Sequence, residues 1–352
     1  MDVELGLRDR YPRRMPIPKA ELHLHIEGTL EPELAFTLAE RNGVVLPFAD
    51  AAALREAYAF TDLQSFLDLY YELMAVLRTE RDFTDLADAY LTRAQADGVR
   101  HAEIFFDPQA HAARGVPFDA VVNGLHAALS TSRERHGIST GLIMCFLRDQ
   151  SADSAFETLA TAEKHLDKII AVGLDSAEVG NPPSKFAAVY ERARELGLRC
   201  VAHAGEEGPA EYVWETLDVL KAERIDHGIR AMEDPELVTR LREERIPLTV
   251  CPFSNVRLRA VDHLGFHPLK RMLEAGLVAT VNSDDPAYFG GYVQENLDGV
   301  AAALELTDDQ IFTLARNSFE AAFIDESTRA GYLSELESSS NWSSTDQIPR
   351  RS

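Results

Sequence analysis

The sequence predicts an α/β fold, a (β/α)8 TIM barrel with extra helices inserted after strand 1. Eight short β-rich runs alternate with helical patterns, and this repetition of strand and helix indicates a parallel sheet. Polar residues follow almost every run, which is where such a barrel keeps its active site. A doubly wound open sheet is the alternative, but no G-x-G-x-x-G motif follows the first run. We therefore favour the closed barrel.

The predicted strands are spread over most of the chain. They are residues 20–27, 101–108, 139–147, 169–178, 199–206, 223–229, 246–255 and 277–286. The segments between them carry helix boundary signals: Asp234 and Pro235 begin one helix, and Gly197 and Gly276 end two others. These signals support helical connections between successive parallel strands.

The connection after strand 1 is much longer than the others. It contains helical apolar spacing at residues 61–77 and 81–98. These helices are either structural padding or a lid, about residues 60–98, that places Phe66, Leu67 and Tyr70 against a ligand. We expect one metal-dependent hydrolase barrel domain at 18–332, an N-terminal extension at 1–17, and a polar, Ser-rich, disordered tail at 333–352.

Composition and charge exclude several classes of partner. Of the 352 residues, 45% are hydrophobic and 26% are charged, which suits a globular protein, and the net charge is -23. This charge repels nucleic acid and anionic membrane surfaces, so we expect a small-molecule partner. The three cysteines form no C-x-x-C motif, and no export signal or membrane span is recognisable, so we expect a cytoplasmic protein. The sequence does not indicate an oligomeric state.

Histidines and carboxylates recur at the ends of four predicted strands. His23 and His25 are two apart on strand 1, so their side chains point to the same face. Strand 5 ends with His203 and Glu206, strand 6 with His227, and strand 8 with Asp284 and Asp285. Each feature alone is weak, because single histidines are often packing residues and Asp-Asp-Pro is often a turn. Their coincidence at one end of the barrel predicts a metal site.

The donor set indicates the metal and its chemistry. Three neutral imidazoles, His23, His25 and His203, and one carboxylate, Asp284, suit zinc with a position left for water. Zinc lowers the pKa of a bound water to about 7 and so provides hydroxide. Glu206, three residues after His203, can act as a general acid and base, or it is a strand-end cap. His227 can orient the water, deprotonate it or stabilise charge.

Five ordered motifs carry a resemblance to a known family. "ELHLHIEGTL", "VAHAGEE", "RIDHG", "CPFSN" and "VNSDDPAYFGGYV" resemble those of the adenosine/adenine deaminase family of amidohydrolases, over residues 18 to about 320. The resemblance implies that the four donors above bind zinc, that Glu206 protonates purine N1, that His227 acts on the water and that Asp285 holds N7. It also implies one zinc per chain, because two-metal relatives use a modified lysine on the middle strand and 169–178 contains none.

Two glutamates bear on the choice between a free base and a nucleoside. Glu27 stands where adenosine deaminases usually place an aspartate that meets ribose, and Glu178 stands where they carry a glycine whose backbone serves N3. A carboxylate at 178 would crowd a ribosyl purine and could accept the N–H of a free base at N9 or N3. "FFDPQAH", "GLDSAEVGNPPSKF" and "SDDPAYFGGYV" also resemble the adenine branch.

The sequence thus predicts zinc-dependent hydrolysis of adenine to hypoxanthine and ammonia in purine salvage. Adenosine and other 6-aminopurines are alternative substrates, and N6-substituted adenines stay open because "FLRDQSADSA" departs from the "FLRHLSEE" of the adenine branch. A non-catalytic barrel that binds metal or purine is a further alternative. The presence of both Glu206 and His227 argues against it, because a purely structural metal site needs neither residue.

Overall fold

The computed structural model describes residues 14–340 and contains the predicted (β/α)8 barrel. Eight parallel strands follow chain order around one sheet, each paired with the next. They are β1 (Lys19–His25), β2 (Val99–Phe106), β3 (Ser139–Leu147), β4 (Ile169–Asp175), β5 (Arg199–Ala204), β6 (Arg224–His227), β7 (Pro247–Val250) and β8 (Val278–Val281). The fold class predicted from the sequence is confirmed.

Every predicted strand except 139–147 extends too far at its carboxyl end. At or after the ends of β4, β6 and β8 the chain passes through left-handed backbone conformations. Ser176, His227 and Asp284 have φ of 70°, 62° and 64°, a region that costs non-glycine residues roughly 1–3 kcal/mol each. The polar residues that were expected within strand ends therefore lie mostly on the loops that follow.

Helices connect the strands and cover the barrel. Within residues 14–340 they are α1 (Pro32–Asn42), α2 (Ala51–Glu56), α3 (Leu63–Leu73), α4 (Glu80–Ala96), α5 (Pro108–Ala112), α6 (Phe118–Leu129), α7 (Ser132–His136), α8 (Ala152–Ala162), α9 (Ala187–Glu195), α10 (Ala210–Glu215), α11 (Pro235–Glu243), α12 (Pro252–Arg257), α13 (Leu269–Glu274), α14 (Pro286–Phe289), α15 (Val293–Ala303), α16 (Asp308–Ala321) and α17 (Glu326–Ser340). The predicted boundary signals are present: the Asp234 carboxylate caps α11, and Gly197 and Gly276 follow α9 and α13 with positive φ. None of these helices is long and apolar enough to cross a membrane.

The insertion after β1 comprises α1 to α4, of which only α3 lies over the barrel mouth. Phe66, Leu67 and Tyr70 on α3 are buried and line the cavity there. Helix α4 instead packs against the side of the barrel, where the Tyr90 hydroxyl donates a hydrogen bond to Glu21 at 2.7 Å. The covering element is therefore shorter than the predicted lid at 60–98.

The predicted tail begins too early. Residues 333–340 continue helix α17, and Leu336 is buried against Ala20, Leu22 and Phe319. The serine-rich composition of this segment predicts disorder and gives no sign of its apolar contact with the barrel. Residues 341–352 of the predicted tail and residues 1–13 of the predicted extension lie outside the described part of the chain.

The barrel closes between β8 and β1 through very few backbone bonds. At the mouth, the His25 N–H donates to the Asp284 carbonyl at 3.0 Å, and the Asp284 N–H donates to the His23 carbonyl at 3.1 Å. Below this point a side chain replaces the backbone as acceptor, because the Leu22 N–H donates to Asn282 Oδ1 at 2.8 Å. We call the contact between His23, His25 and Asp284 the seam.

An ion pair is buried inside the barrel. Arg224 Nη1 donates to Glu103 Oε2 at 2.6 Å, and His101 Nε2 lies 3.1 Å from Glu103 Oε1. Burial opposes the charged form of Glu103, but Arg224 and His101 outweigh it and lower the pKa of this carboxyl to about 2. The pair is therefore charged throughout the neutral range.

Candidate active site

The structure brings the four predicted metal ligands together at the barrel mouth. Ring nitrogens of His23, His25 and His203 and a carboxylate oxygen of Asp284 all lie within 4.8 Å of one another. All four residues are buried. Residues on β1, on β5 and in the loop after β8 are neighbours here because the sheet is closed, although they are far apart in the chain.

Two of the imidazoles are oriented by acceptors behind them. His23 Nδ1 lies 3.2 Å from the Thr249 carbonyl and 3.0 Å from its hydroxyl, and His23 Nε2 lies 3.3 Å from Asp284 Oδ1. His25 Nδ1 lies 3.5 Å from Asp175 Oδ2, and its Nε2 lies 3.5 Å from the same Asp284 oxygen. In both rings Nδ1 faces an acceptor and Nε2 faces the centre, as metal-binding histidines require.

The third imidazole has the same arrangement. His203 Nδ1 lies 3.6 Å from Asp226 Oδ2, and its Nε2 lies 3.1 Å from His25 Nε2. Asp226 is fully buried and also accepts a hydrogen bond from the Thr249 hydroxyl at 2.8 Å. Burial opposes its charge, but the neighbouring His203, His23 and Arg224 side chains hold the pKa of Asp226 well below its usual range. A permanent anion thus stands behind two of the rings.

These residues fit a metal ion. His23 Nε2 is buried without a hydrogen-bond partner, and the Nε2 atoms of His25 and His203 face each other. A cation at the centre would accept all of these lone pairs together with one from Asp284. Burial lowers the pKa of His25 well below its usual value, which keeps the ring in the neutral form that binds metals.

Glu206 lies on the loop after β5 and faces the cavity. Its Oε1 atom is buried without a partner, and its Oε2 atom lies 3.4 Å from His227 Nε2. Burial, followed by the charge of Asp284, raises the pKa of the Glu206 carboxyl well above its usual value. A carboxyl with a raised pKa beside this cluster can hold a proton and donate it to a bound molecule.

Asp285 faces the same cavity from the loop after β8. Its Oδ1 atom is buried and unpaired, and burial together with Asp284 raises the pKa of Asp285 well above its usual value. Its position depends on Gly28, since a Cβ atom there would stand 2.1 Å from Asp285 Oδ1. A protonated carboxyl at this place can donate a hydrogen bond to a ring nitrogen.

Glu178 does not lie where the sequence placed it. Its carboxylate accepts four backbone N–H bonds from the loop after β5, from Gly205 at 2.7 Å, Glu206 at 3.1 Å, Glu207 at 2.9 Å and Gly208 at 2.7 Å. Glu178 is also not among the residues that line the cavity. The prediction that it binds substrate is therefore not supported, because both of its oxygens are engaged behind the loop.

Glu27 is likewise engaged within the protein. Its Oε1 atom accepts the backbone N–H of Asp107 at 3.1 Å and lies 2.8 Å from His111 Nε2, and the residue is fully buried. On the other side of that ring, His111 Nδ1 accepts from Arg114 at 3.1 Å. Glu27 thus positions the start of the loop after β2.

Sequence reasoning gave no role to several polar residues at the site. Asp107 and Asp175, at the ends of β2 and β4, line the cavity beside His25 and have buried oxygens without partners. Asn255 lies 3.3 Å from His227 Nδ1 and 3.1 Å from His267 Nε2. Asn255 belongs to the "CPFSN" motif, and both aspartates lie near the carboxyl ends of predicted strands. The sequence therefore indicated their positions but not the residues that they contact.

The cavity combines this polar floor with an apolar cover. Leu63, Phe66, Leu67 and Tyr70 from α3, together with Leu258, form the cover. Apolar and aromatic walls around a few converging polar groups are typical of a site for a small, flat molecule. The polar groups beneath it suit a metal-assisted hydrolysis.

Comparison with known proteins agrees with this chemistry. The family model described as adenosine deaminase matches residues 18–339. An adenine deaminase from Streptomyces coelicolor is 70% identical over 329 residues, which cover 93% of this chain and 97% of the relative.

The crystal structure of an adenine deaminase from Arthrobacter aurescens is 60% identical with a TM-score of 0.91, covering 92% of this chain and 99% of that one. An amidohydrolase structure from Burkholderia ambifaria with bound Zn is 27% identical with a TM-score of 0.85, covering 94% and 93%. The chain therefore belongs to the adenosine deaminase family and is a hydrolytic enzyme.

Proposed function

We propose that this enzyme binds one zinc ion and hydrolyses adenine to hypoxanthine and ammonia, a reaction of purine salvage. The observation that carries the proposal is the position of Glu206, whose pKa is raised by burial, in one cavity with a buried cluster of three imidazoles and a carboxylate. Two similar proteins, from Streptomyces coelicolor and Arthrobacter aurescens, are named adenine deaminases, which supports adenine as the substrate.

The zinc site would consist of His23, His25, His203 and Asp284. Zinc bound there supplies a water molecule that loses a proton near neutral pH. The acceptors behind the three rings hold the Nε2 lone pairs toward the ion. These residues thus provide the position from which water attacks the purine.

Glu206 and Asp285 would hold the purine and activate it. Glu206 gives its proton to N1, so the ring nitrogen accepts the electron pair that C6 releases when water adds. Asp285 donates its proton to a hydrogen bond with N7, which places C6 between the two acids. Both carboxyls suit these roles because burial raises the pKa of each and so favours the protonated form. The Glu206 carboxylate then takes the proton of the new hydroxyl group and passes it to the amine, so ammonia leaves from the tetrahedral carbon and the ring regains its planarity as hypoxanthine.

The choice of the free base does not depend on Glu178. That residue serves the backbone of the loop after β5, so it neither crowds ribose nor accepts a base N–H. Support for adenine comes instead from the similar proteins and from the cover of α3, which packs its apolar side chains directly over the cavity. Adenosine and N6-methyladenine are the competing substrates.

The decisive experiment measures substrate preference and metal content on one sample. Ammonia release from adenine, adenosine and N6-methyladenine is followed with the purified enzyme, and its zinc is quantified by elemental analysis. We expect one zinc per chain and the highest kcat/KM with adenine, and chelated protein serves as the inactive control. A preference for adenosine, or zinc-loaded protein that deaminates none of the three, would contradict the proposal.

A further inference from the structure

We propose that Asn255 and His267 hold His227 in the neutral tautomer with its proton on Nε2, which makes His227 a hydrogen-bond donor to the attacking oxygen. His227 then acts in the reaction without serving as its general base. The catalytic part of this inference rests on the proposed function, whereas the tautomer is a property of the protein alone.

The argument begins at a backbone group whose role is fixed. The Leu269 N–H donates to His267 Nδ1 at 3.1 Å, so this nitrogen carries a lone pair. A neutral imidazole with a lone pair on Nδ1 carries its hydrogen on Nε2. His267 is buried, and burial lowers its pKa to about 3, so the ring is neutral at every working pH.

His267 in turn fixes the orientation of Asn255. His267 Nε2 lies 3.1 Å from Asn255 Oδ1, and because it carries the hydrogen, the amide oxygen must face it. The amide NH2 group then faces His227 Nδ1 at 3.3 Å. An NH2 group only donates, so Nδ1 of His227 holds a lone pair and the hydrogen is on Nε2.

The other side of the ring supports the same tautomer independently. His227 Nε2 lies 3.4 Å from Glu206 Oε2 and 3.8 Å from Asp284 Oδ2. A hydrogen on Nε2 is attracted to the Asp284 carboxylate, and to Glu206 Oε2 when the Glu206 proton is on Oε1, whereas a lone pair on Nε2 would be repelled by Asp284. His227, Asn255 and His267 are all buried, so water does not compete for these bonds.

This tautomer determines the path of the protons. With no lone pair at Nε2, His227 cannot take a proton from the attacking water. It also cannot take the proton that Glu206 holds for the substrate. Glu206 is then the group that carries protons between water and the purine, while His227 orients the attacking oxygen and stabilises the charge that develops on it. Asn255 and His267 are positioning residues, since they act only through His227.

The tautomer is tested directly by ¹⁵N NMR of zinc-loaded enzyme with labelled histidine. The His227 signals are assigned by their loss in His227→Gln. We expect a protonated Nε2 and an unprotonated Nδ1 on His227, and the same state on His267. A proton on Nδ1 of wild-type His227 would overturn the inference. This measurement needs no substrate, so it remains valid even if adenine is not what the enzyme deaminates.

A second measurement connects the tautomer to catalysis. Asn255→Asp keeps the size of the side chain but offers only acceptor oxygens, so Nδ1 of His227 must take a proton to bond with it. We expect this proton in the NMR spectrum and a fall in kcat of about 10²-fold with KM and zinc content unchanged. Val256→Ala, the next residue of α12, is the matched control and should alter neither. An unprotonated Nδ1 in Asn255→Asp, or an unchanged kcat once Nδ1 is protonated, would refute the mechanism.

Discussion

Replacing Glu178 with glutamine should disorganise the loop that carries Glu206. The wild-type carboxylate gathers four consecutive N–H groups: Oε1 serves Gly205, and Oε2 serves Glu206, Glu207 and Gly208. Consecutive N–H groups of this kind form an anion-binding concavity, here occupied by a side chain of the same protein. A glutamine has the same shape but only one acceptor oxygen and no charge.

The size of the effect follows from these bonds. If the amide oxygen takes the place of Oε2, the amide NH2 group faces the Gly205 N–H, and one buried donor is left unpaired at a cost of about 1–3 kcal/mol. The three remaining bonds change from charged to neutral acceptors and lose about 1 kcal/mol each. The upper bound is about 6 kcal/mol, and rearrangement of the loop should reduce the measured loss to about 2–4 kcal/mol.

Two assays separate this role from the substrate contact that the sequence suggested. Urea denaturation gives the loss of stability, and steady-state kinetics with adenine should show kcat reduced by about 10²-fold because Glu206 is displaced. Gly208→Ala should produce a similar loss, since a Cβ there would stand 2.6 Å from the Glu178 carboxylate. Glu211→Gln, an exposed glutamate on α10, is the control. Wild-type stability in Glu178→Gln combined with a raised KM would refute the reasoning and restore a substrate contact.

The remaining predictions concern the acid, the metal and the buried ion pair. Glu206→Gln should keep its zinc, measured by elemental analysis, and lose activity by about 10²–10⁴-fold because no proton reaches N1; near-normal ammonia release would contradict this role. His203→Asn should lower zinc content, whereas His165→Gln, a histidine outside the site, should retain it; equal zinc in both would remove His203 from the ligand set. The folded-state pKa of Glu103 is about 2 against 4.5 for the free side chain, so its stabilisation of about 3 kcal/mol is present above pH 4.5 and is lost as pH falls toward 2. The difference in unfolding free energy between wild type and Glu103→Gln should therefore be large near neutral pH and shrink toward pH 2, and a difference independent of pH would exclude this pair as its source.

The fold and the cluster of three histidines and Asp284 were predictable for the same physical reason. A parallel barrel brings all strand ends to one rim, so polar residues that follow strands, such as His203 and Asp284, must meet there whatever their separation in the chain. His23 and His25 on β1 follow from the two-residue period of a strand. No knowledge of loop conformation was needed for either step.

The conformation of loops and the partners of side chains were not predictable in this way. Glu178 was assigned to the substrate because it stands where adenosine deaminases carry a glycine that serves N3, but in the structure its carboxylate accepts backbone N–H groups of the loop after β5. The series of hydrogen bonds from Leu269 through His267 to Asn255 depends on how α12 and the start of α13 pack together. The periodicity of the sequence does not predict this packing. The end of helix α17 was missed because its serine-rich composition is typical of disordered segments. Burial of a single leucine, Leu336, is enough to hold this segment against the barrel.

Zinc bound at the seam between β8 and β1 would have a second effect, on the closure of the barrel. The backbones of His23, His25 and Asp284 close the barrel at its mouth, and the side chains of the same residues would hold zinc. Binding of the ion and closure of the sheet are then thermodynamically linked, because each restrains the same three residues. Loss of zinc should open the barrel at this point before the rest unfolds, so the amide hydrogens of His25 and Asp284 should exchange with solvent at a rate set by metal occupancy. Amide exchange at this edge of the sheet would therefore measure how much of the enzyme holds its metal.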